Sequence, residues 1–217
     1  MKTSFRAADA EVPVIFLNLA LEKRRLWARL RIRGSKIRRT LDWFGMVDRI
    51  TLEARSLMEP RGAFRLLSLQ EVEPGLVRLA GGVELPNLRQ ARHFGKAEKI
   101  ALCALTLGSR LEEHANALAM AGDHPEASVF SIIGDCALTE AQEKLKTLAE
   151  KSLRGSGLRA GVVLQPGAQY WNIEGNAIFR SVLPLGALGI RVLDSFALAP
   201  SKSKTFACVF SRPESGP

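Results

Sequence analysis

The stretch that decides the fold is Lys99-Ile-Ala-Leu-Cys-Ala-Leu-Thr106, running into Leu107-Gly108-Ser109-Arg110-Leu111-Glu112. Its apolar run is too short and too continuous for an amphipathic helix, and Gly108 punctuates its end. It reads as a buried strand. Ser109 followed three residues later by Glu112 has the form of a capping box and predicts a helix to about Met120, stopping at Gly122. Pro125 then stands where a first-turn proline is tolerated, which predicts a long helix to about Lys151. Phe130, Ile133, Ala137, Ala141, Leu145 and Leu148 step by three or four along it as one core-facing stripe. Gly134 interrupts good helix formers at a cost of about 1 kcal/mol, which a close packing contact would explain.

Outward from this unit, Ala63–Leu69 and Leu76–Leu79 flank Glu73-Pro74-Gly75 as two strands around a turn. Gly81-Gly82 and Pro86 close that region, and a short helix over Asn87–His93 is expected. Downstream, Leu153–Gly157 ends the long helix, Leu158–Leu164 reads as a strand and Gln165-Pro166-Gly167 as a turn. Ile173–Leu183 reads as a helix ended by Pro184, and Gly189–Leu193 and Ser203–Phe210 as two final strands. Toward the N-terminus, Glu22–Arg39 has the pattern of a basic amphipathic helix broken at Gly34-Ser35. Ile37, Leu41 and Phe44 continue helical spacing to a stop at Gly45, and Val47–Met58 forms a further helix. This order predicts an α+β fold with a mixed or mainly antiparallel sheet packed with helices.

Composition sets the compartment and limits the partners. The 217 residues, 47 % hydrophobic and 24 % charged, suffice for a sizeable core and exclude a disordered or disulfide-stapled chain. The net charge is +9, yet residues 1–40 hold 11 Lys or Arg against 3 acids, leaving residues 41–217 at only +1. The basic surplus is thus a property of an N-terminal extension, residues 1–35, joined to a near-neutral domain over 36–217. A nucleic-acid-binding fold is disfavoured. Cys103, Cys136 and Cys208 are far apart, odd in number and set among apolar or small neighbours, as reduced thiols of a cytoplasmic protein are. The apolar run Val12–Leu21 is too short to span a bilayer and lacks the charge order of a signal peptide.

Few residues advertise chemistry on their own. His93, His114 and His124 are scattered without metal-ligand spacing, so no metal site is assigned, and no Ser stands in a nucleophile elbow. Thr106–Ser109 has the strand-to-helix polarity of an anion corner, with a simple capped turn as the plainer reading. Gln165-Pro-Gly-Ala-Gln-Tyr-Trp171 can present Tyr170 and Trp171 to a flat ligand, or plug Trp171 into the core.

The ordered set of motifs resembles the activation (reactivation) domain of cobalamin-dependent methionine synthase, particularly its free-standing bacterial relatives. The likeness rests on Leu41-Asp-Trp-Phe-Gly45, Glu84-Leu-Pro86 and Ala104-Leu-Thr-Leu-Gly108 with Glu112. It continues through Ile133-Gly-Asp-Cys-Ala137 with Glu140-Ala141, Pro166-Gly167 with Trp171, and Asp194-Ser195 with Pro200 and Lys202-Ser203, to Phe210-Ser-Arg-Pro-Glu-Ser215. The resemblance implies an accessory to corrinoid-dependent methyl transfer, partnered by a separate corrinoid protein or cobalamin-dependent methyltransferase. It implies a ligand of the S-adenosylmethionine type near Glu140, Pro166, Gly167, Tyr170, Trp171 and Asp194, with cobalamin carried by the partner and no catalytic residue assigned. The chain departs from the family where its arginine falls on Val163 and its tyrosine on Ala168. An apolar Val163 supplies no guanidinium for a ligand carboxylate, so that site is lost or rebuilt. The alternative is a non-enzymatic interaction module whose N-terminal arm docks an acidic partner, nucleic acid or membrane surface. A third reading has the first thirty residues completing the domain.

Overall fold

The computed structural model describes residues 12–33, 41–88, 94 and 96–213. The apolar run becomes β5 (Ala97–Thr106), an inner strand of the main sheet. Ala101, Cys103 and Leu105 face one core layer, Ile100, Leu102 and Ala104 the other, and all six are fully buried. A strand covered on both faces needs no polar alternation, which is why its sequence reads as an unbroken apolar run.

Around β5 the sheet is antiparallel in every pairing among the described residues. Its order is β4 (Val83–Leu88), β3 (Gly75–Leu79), β2 (Arg61–Glu73), β5, β9 (Ser203–Ser211) and β6 (Arg159–Leu164). One end of β2 also receives β1 (Ile15–Phe16), with Ile15 opposite Gly62. β7 (Arg191–Val192) and β8 (Leu198–Ala199) form a separate hairpin, so the expected strand over Gly189–Leu193 shrinks to two residues outside the main sheet.

One face is covered by helices α1 (Lys23–Arg33), α2 (Leu41–Leu57), α3 (Arg110–Met120) and α4 (His124–Lys151). Phe130, Ile133, Ala137, Ala141 and Leu145 of α4 are fully buried on it, and Leu148 is half-buried. Asp123 caps α4 by accepting the Glu126 N–H at 3.2 Å, with Pro125 in the first turn. A Cβ at Gly134 would lie 2.9 Å from Leu111 Cδ2 and 3.1 Å from Lys202 Cε, so α3 and the Lys202 side chain just before β9 approach where the side chain is missing. The opposite face carries α5 (Asn176–Val182) and the β7–β8 hairpin over a second layer that includes Trp171, Phe179, Leu185 and Ile190.

Several local expectations are corrected. The Ser109 side chain makes no cap bond, because its backbone is already helical (φ −92°, ψ −26°) and cannot aim the hydroxyl at the third amide. Glu112 turns away to accept the Ser201 N–H at 2.7 Å. Gly45 does not stop a helix: α2 runs through it, and nothing lies within 4 Å of where its Cβ would be. Asn87 belongs to β4 rather than to a helix, at φ +62°, and residues 89–93 lie outside the described residues, as does the Gly34-Ser35 break. The helix expected over Ile173–Leu183 opens as a 3-10 turn, Ile173–Gly175, before α5 begins.

The stretch 12–30 packs into the same core as the rest of the chain. Leu17, Leu21, Leu26 and Leu30 are buried in the layer built on α4. Lys23, Arg24, Arg25 and Arg29 occupy the exposed face of α1. The helix is therefore amphipathic, with its apolar side spent on the domain and its cationic side on solvent.

Candidate functional site

β6 is the outer strand of the sheet, paired only on its β9 side among the described residues, and leads into the Pro166–Trp171 turn. Its register shifts between Ala160 and Val163, where a Cβ on Gly161 would stand 3.4 Å from the Val209 carbonyl. An irregularity of this kind at a sheet edge re-aims the strand that follows it. Val163 is half-buried against the α4 layer, opposite Cys208. The position carries packing and no charge.

Backbone bonds close the turn. The Gly167 N–H donates to the Trp171 carbonyl at 2.9 Å, Ala168 N–H to Gln165 O at 3.1 Å, and Trp171 N–H to Ala168 O at 3.2 Å. Gly167 sits at φ +82°, the left-handed region such a loop requires. Pro166 is buried, Gly167, Ala168 and Gln169 are exposed, and Tyr170 is half-buried at the rim.

Trp171 is 1 % exposed, so neither ring face is offered to a ligand. The indole stands 5.8 Å from the Phe179 ring and presses on Gly175, where a Cβ would lie only 2.6 Å from Nε1 and Cε2. Of its two readings, the core plug describes the ring as it stands. Its N–H is nevertheless buried with no hydrogen-bond partner among the described residues. A buried donor left unpaired costs about 1–3 kcal/mol.

Asp194 is exposed in the turn between β7 and β8, on the same side of the sheet as Trp171. Asn176 fixes this hairpin by donating from Nδ2 to the Phe196 carbonyl at 2.7 Å, while its Oδ1 accepts from the Thr205 hydroxyl. Glu140 is not brought to this face. It lies on α4 beneath the N-terminal segment, 13 % exposed, and accepts the Ala20 and Leu21 N–H groups at 2.6 and 2.9 Å with Lys144 at 3.3 Å. Burial raises its proton affinity, but the two amides and Lys144 outweigh burial and hold the carboxyl below its ordinary pKa. The sheet therefore separates Glu140 from Pro166, Gly167, Tyr170, Trp171 and Asp194. Nothing in the spacing of Glu140 signals that its partners are backbone amides some 120 residues away, although an isolated acid on the core-facing side of a helix needs a partner.

The Thr106–Ser109 corner is occupied internally. Thr106 Oγ1 accepts from Gly108 N–H at 3.1 Å and bonds Ser203 Oγ at 2.9 Å. His114 approaches Glu53 at 3.3 Å and meets Phe130 edge-on, while His124 is exposed at the start of α4. Among the described residues no group of three His, Cys, Asp or Glu is placed to hold a metal. Two open clefts, of about 290 and 330 Å³, lie on the helical side. One is framed by α3, α4 and Ser201-Lys202, the other by Leu17–Leu21, Arg55 and Met58. None of the helices among the described residues is long and apolar enough to cross a membrane.

The sequence matches no protein-family profile and no curated protein. In three dimensions the chain is similar to a crystal structure of the MetH reactivation domain bound to AdoHcy. The TM-score is 0.65 over 95 % of this chain and 81 % of that one, at 17 % identity. At that identity the likeness speaks for the backbone: the chain has the α+β fold of that reactivation domain.

Proposed function

We propose that this chain is a cytoplasmic accessory to corrinoid-dependent methyl transfer. It would act on a separate corrinoid protein or cobalamin-dependent methyltransferase. The observation that carries the reading is the fold likeness across 95 % of the chain to a reactivation domain bound to AdoHcy. The order of the motifs from Leu41 to Ser215 supports it. The ligand face we assign is the outer edge of β6 with the Pro166–Trp171 turn, where Tyr170 is the accessible aromatic and Asp194 lies on the same side of the sheet. The ligand class is a nucleoside sulfonium or thioether of the S-adenosylmethionine type.

The chemistry of this face differs from the family pattern in a defined way. With Val163 in place of a guanidinium, that position of β6 cannot clamp the amino-acid carboxylate of such a ligand. Recognition then falls to exposed backbone at Gly167–Gln169 and to the Tyr170 ring. Cobalamin is placed on the partner.

The test is equilibrium titration of the full chain with S-adenosylmethionine and S-adenosylhomocysteine, alone and with a cobalamin-loaded corrinoid protein. Saturable binding weakened by Tyr170→Ala, or a complex with the corrinoid protein, supports the reading. Absence of both ligand binding and complex formation defeats it.

A further inference from the structure

On the helical side of the molecule, the segment 16–24 and α2 meet along a seam that sets bulky apolar side chains in water beside unanswered positive charge. Arg55 of α2 donates from Nη2 to the Ala20 carbonyl, and Lys23 Nζ at the start of α1 lies 3.0 Å from Asp48 Oδ2. Leu52 stands between these two tethers on one stripe of α2, a turn from each, which sets it beside residues 20–23. It is 69 % exposed. Phe16, next to it across the cleft of about 330 Å³ that Leu17, Leu19 and Arg55 line, is 79 % exposed. Arg55 is held by a neutral carbonyl, and exposed Arg24 has no partner among the described residues, so neither charge is neutralised by a carboxylate. The neighbouring acids are spent elsewhere: Asp48 on Lys23, Glu22 on Arg25 at 3.3 Å, and Glu53 on Arg49 and His114.

We propose that this seam docks the chain on an anionic lipid bilayer, with Phe16 and Leu52 in the boundary between headgroups and acyl chains and Arg24 and Arg55 among the lipid phosphates. Large apolar side chains beside uncompensated cations are the composition of an interfacial anchor. The two apolar side chains flank the cleft and stand out from it, so they suit a deformable phase that closes around them better than a rigid surface. Trp27, half-buried and a turn from Lys23 on the same flank of α1, is a residue type that favours that boundary. Leu26 and Leu30 stay in the protein core, so α1 does not insert as a helix. Attachment is therefore shallow, led by charge and reversed by salt.

This inference is independent of the ligand face on β6. The experiment is co-sedimentation of the full chain with vesicles of phosphatidylcholine containing about one-third phosphatidylglycerol, against vesicles of phosphatidylcholine alone. Saturable binding to the first, at least about tenfold tighter than to the second and weakened by salt, is expected. Arg24→Gln should weaken it about fivefold, the contribution of one cation near a charged surface. Leu52→Ser and Phe16→Ser should each do the same or more. Arg191→Gln, exposed on the opposite side of the sheet, should leave binding within about twofold. Leu52→Trp should show emission that shifts to the blue on the anionic vesicles and is quenched by lipids brominated on the acyl chain. Should Phe16→Ser melt early, Arg24→Gln, which has no partner to lose, and Leu52→Ser carry the test. Absence of binding to the anionic vesicles overturns the proposal. Equal losses for Arg24→Gln and Arg191→Gln mean diffuse charge and overturn it too. So does equally tight binding to heparin or RNA that ignores Leu52→Ser, which makes the seam a polyanion surface instead.

Discussion

Removing the Glu140 carboxylate should loosen the N-terminal segment by a calculable amount. In the folded chain this group accepts from the Ala20 and Leu21 amides and pairs with Lys144, which itself donates to the Asn18 carbonyl. Hydrogen bonds to charged groups contribute about 1.5–3 kcal/mol each, but water can replace the partner at exposed Ala20. The sum for Glu140→Ala is then about 2 kcal/mol. Glu140→Gln keeps one acceptor oxygen and should cost about 1 kcal/mol by the same reasoning. For a chain of this size the alanine figure corresponds to a melting temperature lower by about 4–8 °C. The carboxyl is depressed in the fold relative to its ordinary 4.5, so its contribution is present above that pH and is lost as pH falls through the depressed value. Thermal melts of wild type and Glu140→Gln at pH 7, 5 and 3 should therefore show a gap that is constant at the first two and narrows at the third. Trypsin should cut at Lys23–Arg25 faster in the variant at pH 7. A gap under 1 °C at pH 7, or one that persists unchanged at pH 3, would refute the clasp.

Deleting residues 1–33 should abolish cooperative unfolding in calorimetry. It removes Leu17, Leu21, Leu26 and Leu30 from the core, about 6–12 kcal/mol at 1.5–3 kcal/mol per side chain, against a typical total of about 5–15 kcal/mol. A sharp, reversible transition in the truncated chain would contradict this. Gly175→Ala should destabilise by about 2–3 kcal/mol, because its Cβ meets the rigid Trp171 ring at 2.6 Å rather than a flexible tip. A shift in tryptophan emission with an unchanged melt would count against it. Thiol titration of the native chain at pH 8 should count no more than one reactive group, Cys136. Burial holds Cys103 well above the ordinary thiol value and pushes Cys208 up to about 11. Both stay protonated in the fold while the unfolded chain ionises near 9, so the same shifts predict stability lost as pH rises past 9. Rapid labelling of all three thiols without denaturant would overturn this.

The fold was legible where burial leaves a one-dimensional signature. Ile100–Leu105 has no polar alternation because both its faces are covered, and the α4 stripe is regular because one helix meets one sheet. Gly134 was legible as a contact for the same reason. The failures occur where a side chain has a choice of partner. Ser109 and Glu112 carry the letters of a capping box, yet the Ser201 amide competes successfully for the carboxylate. Gly45 looks like a stop only if something beyond it prevents the helix from continuing. The N-terminal charges drew attention to the exposed face of α1, whereas Leu17 and Leu21 before it, with Leu26 and Leu30 on it, determine where the segment goes. For the candidate site, the turn at Pro166-Gly167 could be read directly from its residues. The separation of Glu140 from it could not, since nothing local records which side of a sheet a helix will cover.

The position of β5 also bears on how the chain is made. Its two partners are β2, already synthesised, and β9, which is made only after α3, α4 and β6. Until residues 203–211 emerge, Ile100–Leu105 lacks one neighbour along its whole length, and the sheet has an apolar open edge at its centre. The N-terminal segment likewise waits for α4 before Ala20 and Leu21 find their acceptor. Both closures join distant parts of the sequence, which slows folding. The nascent chain is therefore a natural client for chaperones during the interval between the exit of β5 and the arrival of β9.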